Sequence, residues 1–180
     1  MTPRRPREPR PALDPRGARV AAFDLLARKG WSARDLRARL VRRGASAELA
    51  REVVAELEGK GYVDDQAFAR WWAEARARGR RIGSRRLRQE LLAKGIPREM
   101  VEAALAAAFE EVGEAERALE AARRRLPALL RGARAARAPA RLAEYLLRRG
   151  YPASMVRHVV RTLLGAERGD LADPGEDGSV

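Results

Sequence analysis

Seven arginines fall within thirteen residues of this chain, between positions 76 and 88, and no carboxylate interrupts them. Guanidinium groups bind phosphates through paired hydrogen bonds, so such a cluster is typical of a surface that contacts nucleic acid. Ser84 is expected to open a helix whose free amides favour an anion in the same place. The usual glutamate one helical turn away is missing until Glu90, which favours phosphate binding over a merely solvated helix face. The candidate binding residues are Arg76, Arg78, Arg80, Arg81, Arg85, Arg86 and Arg88.

Residues suited to catalysis are scarce. The chain has one histidine, His158, and no cysteine, whereas acid–base and nucleophilic chemistry usually recruit such groups. His158 is expected to be a structural residue of the last helix. Asp64 and Asp65 could bind a metal ion, but their position just before Phe68 favours helix capping. Segment 79–83 lacks the lysine and the spacing of a phosphate loop. We therefore expect no enzyme, no catalytic residue, no cofactor and no metal.

The tryptophans allow two interpretations. Phe68, Trp71, Trp72 and Ala75 follow the spacing of one helix face. Two tryptophans there could form an exposed platform on which bases stack, or they could fill a small core. Because this spacing is what a buried face requires, we favour the core. The placement of Trp31, beside a predicted turn, stays open.

The elements that must position these residues are repeated along the chain. A pattern of two leucines and a glycine occurs three times with the same internal spacing, and its glycines lie 51 and 55 residues apart. Each copy predicts a helix with one apolar stripe that ends at the glycine, so the chain is a tandem array of small helical modules. The three copies are Leu36, Leu40 and Gly44; Leu87, Leu91 and Gly95; and Leu142, Leu146 and Gly150.

Helix-forming residues dominate positions 18 to 164, and β-branched residues occur singly, so we expect an all-α fold without a sheet. Ser32 and Asp64 are predicted helix caps, while Pro97 and Pro152 suit the first position of a helix. Pro127 should end the seventh helix, because an interior proline removes a hydrogen bond and clashes with the preceding turn; residues 127–138 are then a loop. The predicted helices span 19–28, 33–43, 47–59, 65–78, 84–94, 97–111, 114–126, 139–149 and 152–164.

Other basic clusters have structural explanations. Arginines 123–125 follow three glutamates on the same predicted helix, and arginines 42–43 and 148–149 lie in last turns before glycines. Cations complement the helix dipole there. We therefore expect a structural role for all three clusters.

The net charge indicates the kind of partner. Lys and Arg total 38 against 25 Asp and Glu, giving a formal charge of +13 and a pI near 11.3, which favours a polyanionic partner. Both ends are rich in Pro or Gly and poor in large apolar residues, which predicts disorder. The expected organisation is an elongated array: a basic tail at 1–17, three-helix repeats at 18–62, 63–112 and 113–164, and an acidic tail at 165–180.

Membrane and export signals are missing from this sequence. The longest apolar run, 103–109, is far below the roughly 18 residues that a membrane span needs, and no apolar region follows the basic first residues. The lack of cysteine agrees with a reducing compartment. We expect a soluble, cytoplasmic, monomeric protein without a membrane partner.

A distinctive run in the central segment extends from Gly61 through Asp64, Asp65 and Phe68 to Trp71, and continues to the Lys94-Gly95-Ile96 turn. It closely resembles the central motif of the RecX family of bacterial regulators of the RecA recombinase. The resemblance covers about residues 19–164, with a looser match in the third repeat. The two tails depart from the family pattern. Further matching positions are Arg76, Gly83, Leu87, Glu90 and Leu91, and upstream Ala22, Leu25, Leu26, Arg28, Ser32, Leu36, Leu40 and Gly44.

The resemblance implies an all-helical protein of three tandem three-helix repeats, similar to helix-turn-helix modules, that lies in the groove of the RecA filament on single-stranded DNA. There the family modulates RecA, mostly negatively, by lowering its ATPase, strand-exchange and coprotease activities. The expected partners are the RecA filament and single-stranded DNA, with duplex DNA as a further candidate. The resemblance carries the contacts over only as a zone, the arginine-rich second repeat.

Two other classes of function fit parts of the sequence. A sequence-specific helix-turn-helix-like protein would bind duplex DNA without RecA, although the predicted recognition helices lack the Asn and Gln that commonly read adenine. A purely helical scaffold with a solvated arginine surface would show no salt-sensitive binding to nucleic acid.

Overall fold

The computed structural model describes residues 12–131 and 134–169, with only the backbone described for 166–169. Over these residues the chain is all-helical, which confirms the predicted fold class. The helices are α1 Pro15–Leu26, α2 Ala33–Arg42, α3 Ala47–Gly59, α4 Asp65–Arg80, α5 Ser84–Ala93, α6 Arg98–Ala108, α7 Glu114–Leu130, α8 Ala138–Arg148 and α9 Ala153–Gly169, with a short 3₁₀ helix at Ala135–Arg137.

The first and last helices reach into segments that we assigned to the tails. Helix α1 begins at Pro15 because the Asp14 carboxylate accepts a hydrogen bond from the amide of Gly17, 2.6 Å away. Helix α9 continues to Gly169. The prediction of disorder was therefore wrong for residues 15–17 and 165–169. Residues 1–11 and 170–180 of the two tails lie outside the described part of the chain.

Pro127 does not end the seventh helix, as we had expected. Helix α7 continues through it to Leu130, and within the predicted loop residues 135–137 form a 3₁₀ helix before α8. Pro127 is exposed, so the carbonyl one turn before it can bond to water. Leu126 and Leu129 are buried on the opposite side of the same turn. Their burial holds this turn in place despite the lost hydrogen bond.

The three leucine–glycine patterns end in the same hydrogen-bonded turn. All six leucines are fully buried, and the glycines have φ angles of +109° (Gly44), +80° (Gly95) and +86° (Gly150). In each copy the residue after the glycine donates its amide to the carbonyl of the second leucine, five positions back. This is a Schellman turn, which needs a left-handed residue and therefore favours glycine. The following residues Ala45, Ile96 and Tyr151 are buried as well.

The described chain divides into two compact units. The first contains residues 12–69 and 91–100, and the second contains 70–90 together with 101–131 and 134–169. The core of the first unit comes mainly from α1, α2 and α3 and includes the fully buried Leu36, Leu40 and Leu57. Helices α7, α8 and α9 build the core of the second unit around Leu142 and Tyr151.

A joint inside the first unit ties the start of α2 to the turn after α5. The Ser32 hydroxyl accepts the Asp35 amide, as a capping residue should, and donates to the carbonyl of Lys94 at 2.9 Å. The amide of Ala33 donates to the carboxylate of Asp65, the first residue of α4, at 2.8 Å. The start of one leucine–glycine helix is thereby bound to the glycine turn of the next.

The second unit contains an equivalent joint between the start of α5 and the turn after α8. The amide of Gly83 donates to the carbonyl of Arg149 at 2.8 Å, and the amide of Ser84 donates to Glu114, the first residue of α7, at 2.7 Å. Gly83 and Ser84 occupy the positions in the second repeat that Ser32 and Ala33 occupy in the first. The joint thus recurs with the period of the sequence, as in other repeat proteins whose modules contact their neighbours.

Candidate nucleic-acid interface

Carboxylates neutralise most of the arginines between positions 76 and 88. Our argument that this window lacks compensating acidic residues was therefore wrong. Five of its seven arginines form ion pairs, and four of the five reach a carboxylate at least fourteen positions away. Arg80 and Arg85 have no carboxylate partner among the described residues, and both are exposed. The pairs are Arg76–Glu90, Arg78–Glu111, Arg81–Glu120, Arg86–Glu90 and Arg88–Glu102.

The amides at the start of α5 are not free either. The Gly83 and Ser84 amides are used in the joint described above, and the amide of Arg85 donates to the carbonyl of Gly150 at 3.1 Å. The expected anion site at this helix start is therefore occupied by the protein's own carbonyls and by Glu114. Only side chains remain to bind a phosphate at this helix start.

The second unit brings part of the window together with the end of α8 in a basic cleft. The cleft has a volume of about 540 Å³, and no carboxylate lines it. Arg148 belongs to it and is largely exposed, with 69 % of its side chain accessible, although we had assigned the 148–149 cluster a structural role. The cleft arginines are Arg80, Arg81, Arg86, Arg148 and Arg149, accompanied by Tyr145. Five guanidinium groups around one depression favour a polyanion.

Arg149 does have the expected structural role within this cleft. Its guanidinium donates to the carbonyl of Arg80 and lies 4.7 Å from the centre of the Tyr145 ring. It also helps to hold the segment between α4 and α5 in place. Arg86 is held similarly, because it donates to Glu90 at 3.1 Å and to the carbonyl of Arg148 at 3.2 Å. Backbone carbonyls thus fix the positions of Arg86 and Arg149 in the cleft, while the charge of Arg86 is also partly balanced by Glu90.

Arg81, which lines the cleft, has an unusual backbone conformation. Its φ angle is +50°, the left-handed region that an arginine seldom adopts. The Tyr151 hydroxyl donates to its carbonyl at 3.0 Å, and its side chain donates to Glu120 at 2.9 Å. The Arg81 guanidinium lowers the pKa of Glu120, and burial raises the pKa of Tyr151 well above its usual value. Strained residues of this kind cluster at functional sites.

The two tryptophans of α4 differ in exposure, so the core interpretation was wrong for one of them. Trp71 is 57 % exposed, whereas Trp72 is half-buried and its ring NH donates to Glu90 at 3.2 Å. Ala75 is exposed too, and the buried face of the helix consists of Phe68, Ala69, Ala73 and Ala77. The alternative that the sequence left open, an exposed aromatic platform, fits Trp71.

The remaining candidates have structural or surface positions. Asp64 caps α4 by accepting the amides of Gln66 and Ala67 at 2.8 and 2.9 Å. The side chain of His158 is exposed and is not the satisfied structural histidine that we expected. Among the described residues, no group of three or more acidic, His or Cys side chains could hold a metal ion. No described helix combines the length and the apolar character needed to cross a membrane.

Comparisons with known proteins identify the family. The family model described as the second three-helix domain of RecX matches residues 64–105. The regulatory protein RecX of Thermus thermophilus is 41 % identical over 149 residues, covering 83 % of this chain and 92 % of that protein. The chain belongs to the RecX family. The regulatory protein RecX of Streptomyces coelicolor is 34 % identical and covers 93 % of this chain and 89 % of the relative.

A solved structure agrees with the fold. The crystal structure of RecX from Lactobacillus salivarius has a TM-score of 0.70 with this chain at 15 % identity, and the match covers 83 % of this chain and 96 % of that one. At this level of identity the similarity supports the helical architecture alone. The identification made from the sequence is thus confirmed, together with the general class of regulatory protein.

Proposed function

We propose that this protein modulates RecA, mostly negatively, by binding in the groove of the RecA filament on single-stranded DNA and reducing ATPase, strand exchange and coprotease activity. The observation that carries the proposal is the similarity over most of the chain to regulatory proteins called RecX. The target, the filament groove and the three activities are expectations from the family resemblance.

The repeated construction of the chain suits a partner that is itself repeated. Each leucine–glycine helix exposes one aliphatic side chain directly after its second buried leucine. These residues are Val41, Leu92 and Leu147, which are 44 %, 43 % and 46 % exposed. Single exposed apolar residues are common, but three at equivalent positions offer one similar contact in each repeat. Weak contacts of this kind to successive subunits of a filament add up to strong binding.

The basic cleft supplies the contact to DNA in this proposal. Its arginines can neutralise phosphates of the strand inside the filament, so binding should weaken as salt rises, with a log–log slope of about 0.7 per neutralised phosphate of a single strand. This part of the proposal rests on side chains from the predicted zone and on Arg148, which lies outside it.

The rival function, sequence-specific duplex recognition, gains no support from α5. A recognition helix contacts base edges with its N-terminal residues, whereas the start of α5 is bound to the turn after α8. This arrangement favours contacts through the cleft over insertion of the helix start into a major groove.

The test is the steady-state ATPase of the cognate RecA on single-stranded DNA, titrated with this protein. Inhibition at concentrations well below those that coat the free DNA would support the proposal. An unchanged RecA ATPase, with salt-sensitive DNA binding retained, would refute it and leave a DNA-binding repeat protein.

A double variant tests the contribution of the cleft. Arg80→Ala with Arg148→Ala should make the log–log salt slope of DNA binding shallower by about 1.4, because two single-strand phosphate contacts are lost. Helicity and melting should be preserved, since Arg80 has no carboxylate partner among the described residues and Arg148 pairs only with exposed Glu144. The matched control is Arg51→Ala with Arg123→Ala, which removes the same charge from exposed positions that do not line the cleft. Equal slopes for the two pairs would place the DNA contact elsewhere.

A further inference from the structure

An exposed tryptophan lies beside the basic cleft. The ring of Trp71 packs edge-on against Trp72, with centroids 6.4 Å apart and planes inclined by 65°, yet 57 % of Trp71 remains accessible. Trp72 is fixed from two directions, by its hydrogen bond to Glu90 and by the Arg76 guanidinium 4.1 Å above its ring. Trp72 thus forms a firm support, and Trp71 presents a large aromatic surface to solvent.

Arg80 links this aromatic surface to the cleft. It lines both the basic cleft and a shallow depression of about 240 Å³ that also contains Trp71, Trp72 and Arg76. Arg80 is exposed, and no described carboxylate pairs with it. One arginine is therefore shared by a surface suited to flat apolar rings and a surface suited to phosphates.

The dimensions match a short stretch of nucleic acid. Trp71 and Arg80 are nine residues apart on the same helix, a rise of roughly 13 Å at about 1.5 Å per residue. That distance corresponds to roughly four nucleotides at the 3.4 Å spacing of a stacked strand, and to fewer in an extended one. Aromatic stacking with a basic groove that follows the backbone is how many proteins bind single strands.

We propose that Trp71 stacks on an unpaired base of single-stranded DNA while Arg80 and the cleft arginines bind phosphates a few nucleotides further along the same strand. The choice of DNA as the ligand rests on the proposed function. The stacking contact adds a preference for unpaired strands. The positive charge of the cleft favours a polyanion, and the exposed Trp71 ring favours a polyanion whose aromatic bases are accessible for stacking. Duplex DNA shows base faces only at its ends, so it lacks the second feature.

The test compares two oligonucleotides of about 12 nucleotides, within the usual site size of single-strand binders. One is labelled oligothymidylate, and the other is an abasic strand with the same number of phosphates. Fluorescence anisotropy gives the affinity of the full chain for each. Trp71→Ala should weaken binding to oligothymidylate on the order of 10-fold and leave binding to the abasic strand unchanged. Trp71→Phe should restore most of the loss, because it keeps an aromatic face.

Tyr62→Ala is the matched control, since Tyr62 is an aromatic residue with nearly the same exposure, 58 %, in the other unit. It should leave both affinities unchanged. Wild-type affinity of Trp71→Ala for oligothymidylate, or an equal loss on both strands, would overturn the proposal. So would a loss of the same size in the Tyr62 variant.

A measurement on the unaltered protein keeps the proposal testable if Trp71→Ala folds poorly. Photocrosslinking to a strand containing 5-iodouracil should label the peptide with Trp71, and labelling confined to other peptides would refute the stacking. Neither measurement contains RecA, so the result is separate from the ATPase test. A protein that inhibits RecA without stacking would refute this inference alone, and one that stacks on DNA without affecting RecA would refute the proposed function alone.

Discussion

Replacement of Gly150 by alanine should destabilise the second unit strongly, because this glycine is constrained in two ways. Its φ of +86° is left-handed, and an added Cβ would lie 2.5 Å from the Arg86 amide nitrogen and even closer to the Arg86 Cβ. The conformational strain costs about 1–2 kcal/mol. Relief of the clash has to separate α5 from the turn, which breaks two backbone hydrogen bonds worth about 1 kcal/mol each. We expect a loss of about 3–4 kcal/mol.

Two other glycines separate these causes. Gly61 has a φ of +74° and no atom within 4 Å of an added Cβ, so Gly61→Ala should cost only the strain, about 1–2 kcal/mol. Gly83 is not in the left-handed region, but an added Cβ would lie 2.7 Å from the backbone of Gly150 and Tyr151. Gly83→Ala should cost about 2 kcal/mol through the same two hydrogen bonds.

Urea unfolding followed by tryptophan fluorescence provides the assay. In a Trp31→Phe background Trp71 and Trp72 report on the second unit, which contains Gly83 and Gly150. With Trp71→Phe and Trp72→Phe together, Trp31 reports on the first unit, which contains Gly61. The loss of unfolding free energy, each variant against its own background, should increase in the order Gly61→Ala, Gly83→Ala, Gly150→Ala. Equal losses for Gly61→Ala and Gly150→Ala would refute the reasoning, because the close approach of α5 to the turn would then contribute nothing.

Two further substitutions address single features of the second unit. Burial raises the pKa of Tyr151 in the folded protein. The contribution of protonated Tyr151 to the free energy of unfolding is therefore complete below its pKa in the unfolded chain, about 10, and is lost as pH rises through the pKa in the folded protein. Tyr151→Phe should therefore cost about 1 kcal/mol at neutral pH, from the hydrogen bond to Arg81, and should reduce the alkaline loss in urea unfolding; an unchanged alkaline slope relative to Tyr62→Phe would count against this. Pro127→Ala should stabilise α7 by about 2 kcal/mol, less than the ~3 kcal/mol of a proline deep in a helix because the helix ends three residues later. A melting temperature no higher than that of the parent would show that the proline causes no strain there.

The resemblance and the helical pattern allowed much of the fold to be predicted. Eight of the nine described α-helices begin at or within one residue of the predicted start, among them α2 and α3 behind the caps Ser32 and Ser46. Capping bonds and glycine turns involve residues a few positions apart, so they can be read from a short stretch of chain. The prediction failed at Pro127, where burial of Leu126 and Leu129 outweighs the local penalty.

The candidate site was predicted only in part. The arginine window contributes Arg80, Arg81 and Arg86 to the cleft, but Arg148 comes from another repeat. The repeat could have indicated Arg148. The start of α2 contacts the turn at Gly95, and the start of α5 contacts the equivalent turn at Gly150, which Arg148 precedes. Local charge spacing could not show this, since it considers only neighbours on one helix.

The sequence by itself determined the helices, their caps, the three leucine–glycine turns and the family, because each depends on residue types at short, repeated spacings. Only the tertiary structure decided which charges are neutralised and which side chains are accessible. Glu111 and Glu120 reach back to Arg78 and Arg81 over more than thirty positions, while Arg80 keeps its charge and Trp71 its exposed face. Electrostatic pairing and burial depend on distances in space, and a one-dimensional pattern does not contain those distances.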